Sequence, residues 1–222
     1  FNCVDRLTIE IAIQEQPLYS EAQFSSDLNM DLKKSGGIDR DSKSEYLVNK
    51  LNSCSQAIID LYRQAASSSE TQDYKGADVW RYIKENLKYE IKKKKKGINY
   101  SNILIIITDG YMDFENLNDK RSINNKSNTG NFIYEVAKKK ENWEEYFDKS
   151  GFGFVHIQGV PLEDVKVVVA EIAPKADYHK EILEKTWSKF FYEMGADSND
   201  VHVLTNTISC DNVLNEISSI AH

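Results

Sequence analysis

Apolar residues recur along most of the chain, and their period separates strands from helices. Residues 7–13 alternate strictly between Leu or Ile and smaller or polar side chains, which predicts a strand with one buried face. A looser alternation over 24–32 predicts a second strand. We expect the two to form an antiparallel pair at a sheet edge, followed by a polar loop over 33–44.

Several later segments repeat their apolar residues in steps of three and four, which is typical of helices with one buried face. The segments are 45–66, 79–91, 132–147, 178–194 and a final stretch that begins near Asp211. The helix over 79–91 runs into Lys92–Lys96 and Gly97. Cations in a last turn complement the helix dipole, and glycine commonly ends a helix.

The continuous apolar run at 103–107 is typical of a strand covered on both faces, and 165–172 and 201–208 are expected to be a second and a third buried strand. They alternate with helices, which predicts parallel strands joined by right-handed crossovers. We expect one α/β domain over 1–222. It would be a Rossmann-like three-layer sandwich with a mainly parallel central sheet, an antiparallel edge hairpin and helices on both faces. Residues 116–131 predict a polar loop, and a short strand is expected near Phe154.

Charge and cysteine content narrow the classes of function. The formal net charge of the 222 residues is -7, which gives no long-range attraction to nucleic acid or to anionic membranes. No apolar run approaches the roughly 18 residues of a membrane span, so we expect no membrane insertion. Lys92–Lys96 has no interleaved aromatic residue, which favours a solvated helix end over a phosphate-binding patch. Cys54 is expected to be a buried thiol, because it lies on the apolar face of its helix.

Ligands of parallel sheets bind beyond the carboxyl ends of the strands, which directs attention to the residues found there. The strand over 103–107 leads into Thr108, Asp109 and Gly110, and Glu171 lies near the end of the strand over 165–172. A carboxylate in such a place suits a hard cation such as Mg²⁺ or Ca²⁺. An Asp-Gly pair equally well begins a tight turn.

The run Ile103-Leu104-Ile105-Ile106-Ile107-Thr108-Asp109-Gly110 resembles the hydrophobic strand of the von Willebrand factor A family, which ends in a metal-site aspartate. Gly76-Ala77-Asp78-Val79 resembles the Gly-Thr-Asp turn of that family, which adds Asp78 to the candidate site. The resemblance extends over nearly the whole chain as a pattern of elements, and only these short motifs carry it. It implies a domain that binds a protein partner at the sheet edge near Asp109.

Two departures from the family pattern predict a degenerate metal site. The Asp-x-Ser-x-Ser motif is absent, and the nearest string, Arg40-Asp41-Ser42-Lys43-Ser44, has Arg in place of the first Asp and falls in the expected loop. Ala77 replaces the threonine of the turn. We therefore expect that the first strand and helix of the family are missing and that Asp109 alone could hold Mg²⁺ or Ca²⁺, weakly at most.

The sequence thus predicts a non-catalytic protein-binding or scaffolding module with a degenerate metal-ion-dependent adhesion site. Its expected binding residues are Thr108, Asp109, Gly110, Asp78 and Glu171, with a protein partner and no nucleic acid. The alternative is a metal-assisted hydrolase that uses carboxylates at this sheet edge, Asp109 and Glu171. The first residue, Phe1, fits either a trimmed exported domain or a cytoplasmic fragment, and of the two we favour the exported domain.

Overall fold

The computed structural model describes residues 6–8, 29–31, 40–70, 78–93, 100–112 and 121–205, together with 215, 218 and 219. The chain divides into two compact units, Phe1–Ala77 and Asp78–His222. The candidate strand ends all belong to the second unit.

The first unit contains a hairpin and a long helix. Strands β1 (Arg6–Thr8) and β2 (Asn29–Asp31) pair antiparallel, which confirms the predicted pairing for the residues described. Residues 9–28, which include the rest of both predicted strands, lie outside the described part. Helix α1 (Arg40–Glu70) is longer than the predicted 45–66, and the expected loop is wrong for residues 40–44. Polar end turns carry no apolar repeat, so the sequence pattern could not mark them. Cys54 is buried, as predicted.

The second unit begins with a helical segment that contains a wider turn. Helix α2 (Val79–Tyr82) continues through a π-helical turn (Ile83–Leu87) into α3 (Lys88–Glu90). Trp80, Ile83 and Leu87 are buried on one side of it. The segment confirms the predicted helix over 79–91 to within one residue.

The central sheet consists of three parallel strands in the order β3-β7-β8. Their bounds are Asn102–Ile107, Val165–Ile172 and Val201–Thr205. Ile106, Val169 and Val203 lie side by side in register and face the same core. This sheet confirms the predicted α/β class with a mainly parallel sheet; residues 206–208 of the third predicted strand lie outside the described part.

Strand β3 is not covered on both faces, which corrects the prediction from its apolar run. Ile105 and Ile107 are 42% and 66% exposed, whereas Ile106 is buried. The difference follows from side-chain alternation, since Ile106 points into the core and its two neighbours point away from it. The middle strand β7 is the one covered on both faces, because Val168 and Ala170 are buried as well as Val167 and Val169.

Two of the three strands of a small second sheet lie within the segment expected to be a loop. Strands β4 (Ser122–Ile123) and β5 (Lys126–Ser127) pair antiparallel, and β5 pairs parallel with β6 (Gly153–Phe154). The predicted loop over 116–131 is therefore wrong for these residues, whose strands are too short to show an alternating pattern. The short strand expected near Phe154 is β6.

The helix predicted over 132–147 is interrupted. Helix α4 (Asn131–Ala137) and helix α5 (Trp143–Ser150) are separated by a 3-10 turn (Lys140–Asn142). Lys140 has a φ of 50°, which a continuous α-helix does not accommodate. The apolar pattern runs through the break because both short helices pack on the same core.

Helix α6 (His179–Glu193) supplies much of that core and matches the prediction over 178–194. Trp187, Phe190 and Phe191 are buried, and Phe154 meets Trp187 edge to face at 5.2 Å between ring centroids. Gly195 follows the helix with a φ of 97°, a value that favours glycine. Of the final helix expected after Asp211, Asn215, Ser218 and Ser219 are helical, and the other residues lie outside the described part. Among the helices described, none has the length and apolar character to cross a bilayer.

Candidate binding site at the ends of β3 and β7

The chain turns sharply where β3 ends, and two side chains stabilise the turn. The Thr108 hydroxyl accepts the Gly110 N–H at 3.2 Å, and Oδ1 of Asp109 accepts the Tyr111 N–H at 3.0 Å. Gly110 has a φ of 98°, and a Cβ there would lie 2.8 Å from Cδ1 of Ile172. Asp109 and Gly110 therefore do form the tight turn that the Asp-Gly pair predicted.

Backbone hydrogen bonds continue from β3 to β7 past the last paired residues. The Thr108 N–H donates to the Ala170 carbonyl at 3.1 Å, and the Ala173 N–H donates to the Asp109 carbonyl at 2.9 Å. These bonds place the loop over 173–178, which joins β7 to α6, beside the Asp109 turn. The two strand ends predicted to share one sheet edge do share it.

Lys175, in this loop, places a positive charge beside the Asp109 carboxylate. Its Nζ lies 3.5 Å from Oδ2 of Asp109 and 4.2 Å from the centroid of the Tyr111 ring. The side chains of Lys175 and Asp109 are 49% and 47% exposed, so both reach solvent. We call these two residues the exposed pair. The carboxylate predicted to meet a metal ion is thus engaged by an ammonium group and by a backbone N–H.

A buried pair lies directly beneath. The Tyr111 hydroxyl is 2.5 Å from Nδ1 of His179 and accepts the Lys175 N–H at 3.0 Å, with both rings buried. Burial, followed by the charge of Lys175, lowers the pKa of His179, and burial raises the pKa of Tyr111. Both directions favour an uncharged imidazole beside a phenol that keeps its proton. We call Tyr111 and His179 the buried pair.

Aromatic packing and one further hydrogen bond hold the buried pair in place. The Tyr134 ring stacks on Tyr111 at 5.8 Å and meets the His179 ring edge to face at 4.9 Å. Below the turn, Nε1 of Trp187 donates to the Gly110 carbonyl at 3.0 Å. The turn is therefore fixed to both the sheet and α6.

Backbone strain flanks the loop that carries Lys175. Glu171 and Tyr178 have φ values of 67° and 64°, in the left-handed region that residues other than glycine seldom adopt. Glu171 lies at the irregularity in the pairing of β7 with β8, and Tyr178 immediately precedes α6. Such strain costs about 1–3 kcal/mol per residue and occurs preferentially at functional sites.

The remaining predicted residues occupy different positions. Glu171 is exposed at the same sheet edge as Asp109, as expected of a residue at the rim. Asp78 is buried at the N-terminus of α2, where its carboxylate accepts the Arg81 N–H at 2.8 Å and caps the helix. Asp113 and Glu115, two other carboxylates after β3, lie outside the described residues.

The sequence did not single out Lys175, Tyr111 or His179 as site residues. Lys175 follows the end of a buried strand, so the rule that pointed to Asp109 could also have pointed to it. Tyr111 directly follows the Asp-Gly pair. No sequence signal joins Tyr111 to His179, because their contact depends on how α6 packs.

Two findings bear on what the site could hold. Among the described residues, no group of three or more His, Cys, Asp or Glu side chains is arranged to hold a metal ion. Comparison with protein-family models, with curated proteins and with solved structures gives no match for the chain. The proposed function therefore rests on the residues of this site.

Proposed function

We propose that the chain is a non-catalytic protein-binding or scaffolding module that recognises its partner with the exposed pair, Asp109 and Lys175. The single observation that supports this most is the 3.5 Å approach of Lys175 Nζ to Asp109 Oδ2 at an exposed strand end. It gives the surface one cationic and one anionic group side by side. Such mixed charge suits the polar side chains of a protein better than the uniformly negative backbone of a nucleic acid.

The proposed recognition is independent of a metal ion. Mg²⁺ requires several well-placed oxygen ligands, whereas Asp109 already has the Lys175 ammonium group and the Tyr111 N–H as partners. The resemblance to the von Willebrand factor A family would make Asp109 a metal-site aspartate, but its partners here are an ammonium group and a backbone N–H. We regard the site as degenerate, with any Mg²⁺ or Ca²⁺ bound weakly at most.

The buried pair supports a positioning role rather than catalysis. Tyr111 and His179 are a hydroxyl and an imidazole in contact, a combination used in proton transfer. Their rings are buried, and each polar atom of the contact is engaged within the protein. Their role in the proposal is to hold the Lys175 backbone, and hence its ammonium group, in place.

Affinity capture followed by quantitative binding tests the proposal. Proteins retained by the immobilised chain would be identified, and the affinity of each purified candidate would be measured for the wild type and for Asp109→Ala/Lys175→Ala. We expect the double variant to bind at least about tenfold more weakly, since an interface residue that matters costs more than about 1 kcal/mol when truncated. The matched control is Glu145→Ala/Lys149→Ala, which removes an exposed ion pair from α5. Equal affinities of wild type and strand-end variant would place recognition elsewhere on the chain.

Calorimetric titration with Mg²⁺, Ca²⁺ and Mn²⁺ tests independence from metal. We expect dissociation constants weaker than about 1 mM for the wild type. Tighter binding that Asp109→Ala abolishes would contradict this part of the proposal and restore a metal-dependent site.

A further inference from the structure

A second surface concentrates positive charge on an acidic chain. Residues 79–93 contain five basic and two acidic side chains, although the whole chain carries a net charge of -7. Charges are screened beyond about 8 Å at physiological ionic strength, so a ligand in contact responds to local rather than net charge. The net charge therefore does not exclude an anionic partner here.

The tertiary structure adds a cation from elsewhere in the chain to this segment. Nζ of Lys84 lies 5.2 Å from the centroid of the Trp80 ring, and Cζ of Arg121 lies 5.9 Å from the same ring. Lys88 and Lys92 follow Lys84 at intervals of four residues, Lys88 at the start of α3 and Lys92 two residues beyond its end. We call Lys84, Lys88, Lys92 and Arg121 the basic surface; all four are exposed.

The segment that carries the basic surface is anchored by hydrogen bonds, and few acidic side chains pair with its cations. Trp80 is buried and donates from Nε1 to the Val155 carbonyl at 2.7 Å. The Asn102 side chain bonds the Lys92 N–H at 2.8 Å and the Lys92 carbonyl at 2.9 Å, which fixes the end of the segment to the start of β3. Within the part of the chain that is described, no ion pair engages Lys84, Lys88 or Lys92, in contrast to Arg81, which pairs with Glu85 at 3.4 Å.

Two large exposed side chains accompany these cations. Tyr89 is 71% exposed, with Nζ of Lys88 4.8 Å from its ring centroid. Ile123, two residues after Arg121 at the tip of the β4–β5 hairpin, is 60% exposed. The sequence run Lys92–Lys96 has no aromatic residue within it, but Tyr89, which follows Lys88 in the chain, places its exposed ring near the Lys88 ammonium group.

We propose that the basic surface binds the face of an anionic phospholipid membrane, with Tyr89 and Ile123 entering the interfacial region. Lysine clusters attract anionic lipid headgroups without specific geometry, and tyrosine is favoured at membrane interfaces. The chain would lie on the bilayer and would not cross it.

Nucleic acid fits these observations less well. Residues 79–96 have seven lysines and one arginine, whereas phosphate recognition in nucleic acids favours the planar arginine fork. The Trp80 ring between the cations is buried and closed to base stacking, and an exposed isoleucine has no role against a phosphate backbone.

Co-sedimentation with vesicles tests the proposal on the full chain. We expect binding to phosphatidylcholine vesicles that contain about 30% phosphatidylserine, no binding to phosphatidylcholine alone, and loss of binding as salt rises from about 0.1 M to about 0.5 M. Lys84→Gln/Lys88→Gln/Lys92→Gln should bind about 100-fold more weakly, at roughly fivefold per charge. Lys138→Gln/Lys140→Gln/Lys180→Gln removes the same charge from other exposed positions and should bind like the wild type. Circular dichroism would verify that both variants are folded.

Three results would overturn the proposal. These are no binding to the anionic vesicles, equal losses in the two triple variants, or tighter binding to a labelled oligonucleotide or to polyglutamate than to the vesicles.

A further variant separates insertion of side chains into the membrane interface from the attraction between charges. Tyr89→Ser/Ile123→Ser keeps every charge, so it should weaken vesicle binding by about tenfold or more if both side chains enter the interface. Unchanged vesicle binding by this variant would refute the part assigned to Tyr89 and Ile123.

Discussion

The exposed pair and the buried pair meet at the turn that follows β3, but one is exposed to solvent and the other is buried. Lys175 contributes to both, because its ammonium group approaches Asp109 while its backbone N–H binds the Tyr111 hydroxyl. The exposed pair is in contact with solvent, which screens the attraction between its two charges. It therefore adds little to stability and can contact a partner. The buried pair has no water to replace a lost hydrogen bond, so its contribution is to stability. Substitutions in the two pairs should therefore separate folding from recognition.

The largest expected effect comes from removing the support beneath both pairs. Trp187→Ala would leave a cavity in the core and remove the hydrogen bond to the Gly110 carbonyl, at a cost of about 3–5 kcal/mol. Urea unfolding measures this loss. Trp143→Ala, at a partly exposed position on α5, is the matched control and should cost less than half as much. Equal losses would mean that Trp187 is not the main support of the turn.

Gly110→Ala tests the turn itself. The added Cβ would lie 2.8 Å from Ile172 Cδ1 in a left-handed conformation, so we expect a loss of about 2–3 kcal/mol in the free energy of unfolding. Gly159→Ala has a similar φ of 80° but open space around the new Cβ. It should cost only about 1 kcal/mol, and a comparable loss at both glycines would show that the close packing on Ile172 is unimportant.

Tyr111→Phe removes one hydroxyl from the buried pair. The Lys175 N–H and Nδ1 of His179 would each lose their partner, which should destabilise the fold by about 1–2 kcal/mol as measured by chemical unfolding. Tyr134→Phe, at a more exposed ring of the same cluster, should change stability by less than about 0.5 kcal/mol. A neutral Tyr111→Phe would contradict the role given to the buried pair.

Lowering the pH should reduce the free energy of unfolding through His179 of the buried pair. Because the folded state lowers the pKa of His179, the unfolded chain takes up a proton that the folded chain does not. We expect the free energy of unfolding to fall as the pH drops below about 6.5, by at most about 1.4 kcal/mol per pH unit. Urea titrations between about pH 8 and pH 5.5 measure the slope. His179→Gln should reduce it, and an unchanged slope would assign the effect to another group.

The smallest effect on stability should come from the exposed pair. Lys175→Gln keeps the backbone N–H that binds Tyr111 and removes only the charge near Asp109, so we expect a change below about 1 kcal/mol. Thermal unfolding at low and high salt measures it. A loss above about 2 kcal/mol would show that Lys175 acts mainly in folding, which would weaken its assignment to recognition.

Prediction from sequence succeeded where one element carries its own signal. The eight-residue segment of β7, six of whose residues are apolar, and the amphipathic repeat of α6 predicted both elements to within one residue. Prediction failed where contacts with neighbouring elements decide which residues are buried or paired. The apolar run of β3 did not reveal that Ile105 and Ile107 face outward, and the residues of β4 and β5 are too few to show a period.

The candidate site shows the same division. Asp109 and Gly110 were predicted because strand ends and Asp-Gly turns follow from local pattern. Asp78 was predicted from a short motif as a binding residue, and in the structure its carboxylate is buried and caps α2. Lys175 and His179, which decide the charge and hydrogen bonding of the site, come from a loop and a helix more than sixty residues further along the chain.

The sequence by itself determined the α/β class, the parallel strands and the position of the turn at Asp109, because each depends on hydrophobic period and on residues adjacent in the chain. The tertiary structure alone decided that Lys175 would approach Asp109, that Tyr111 would bond His179 and that Arg121 would join Lys84 over Trp80. These contacts depend on hydrogen-bond and ring distances of a few ångströms between elements distant in sequence. Packing of the whole core fixes such distances, and no local pattern records them.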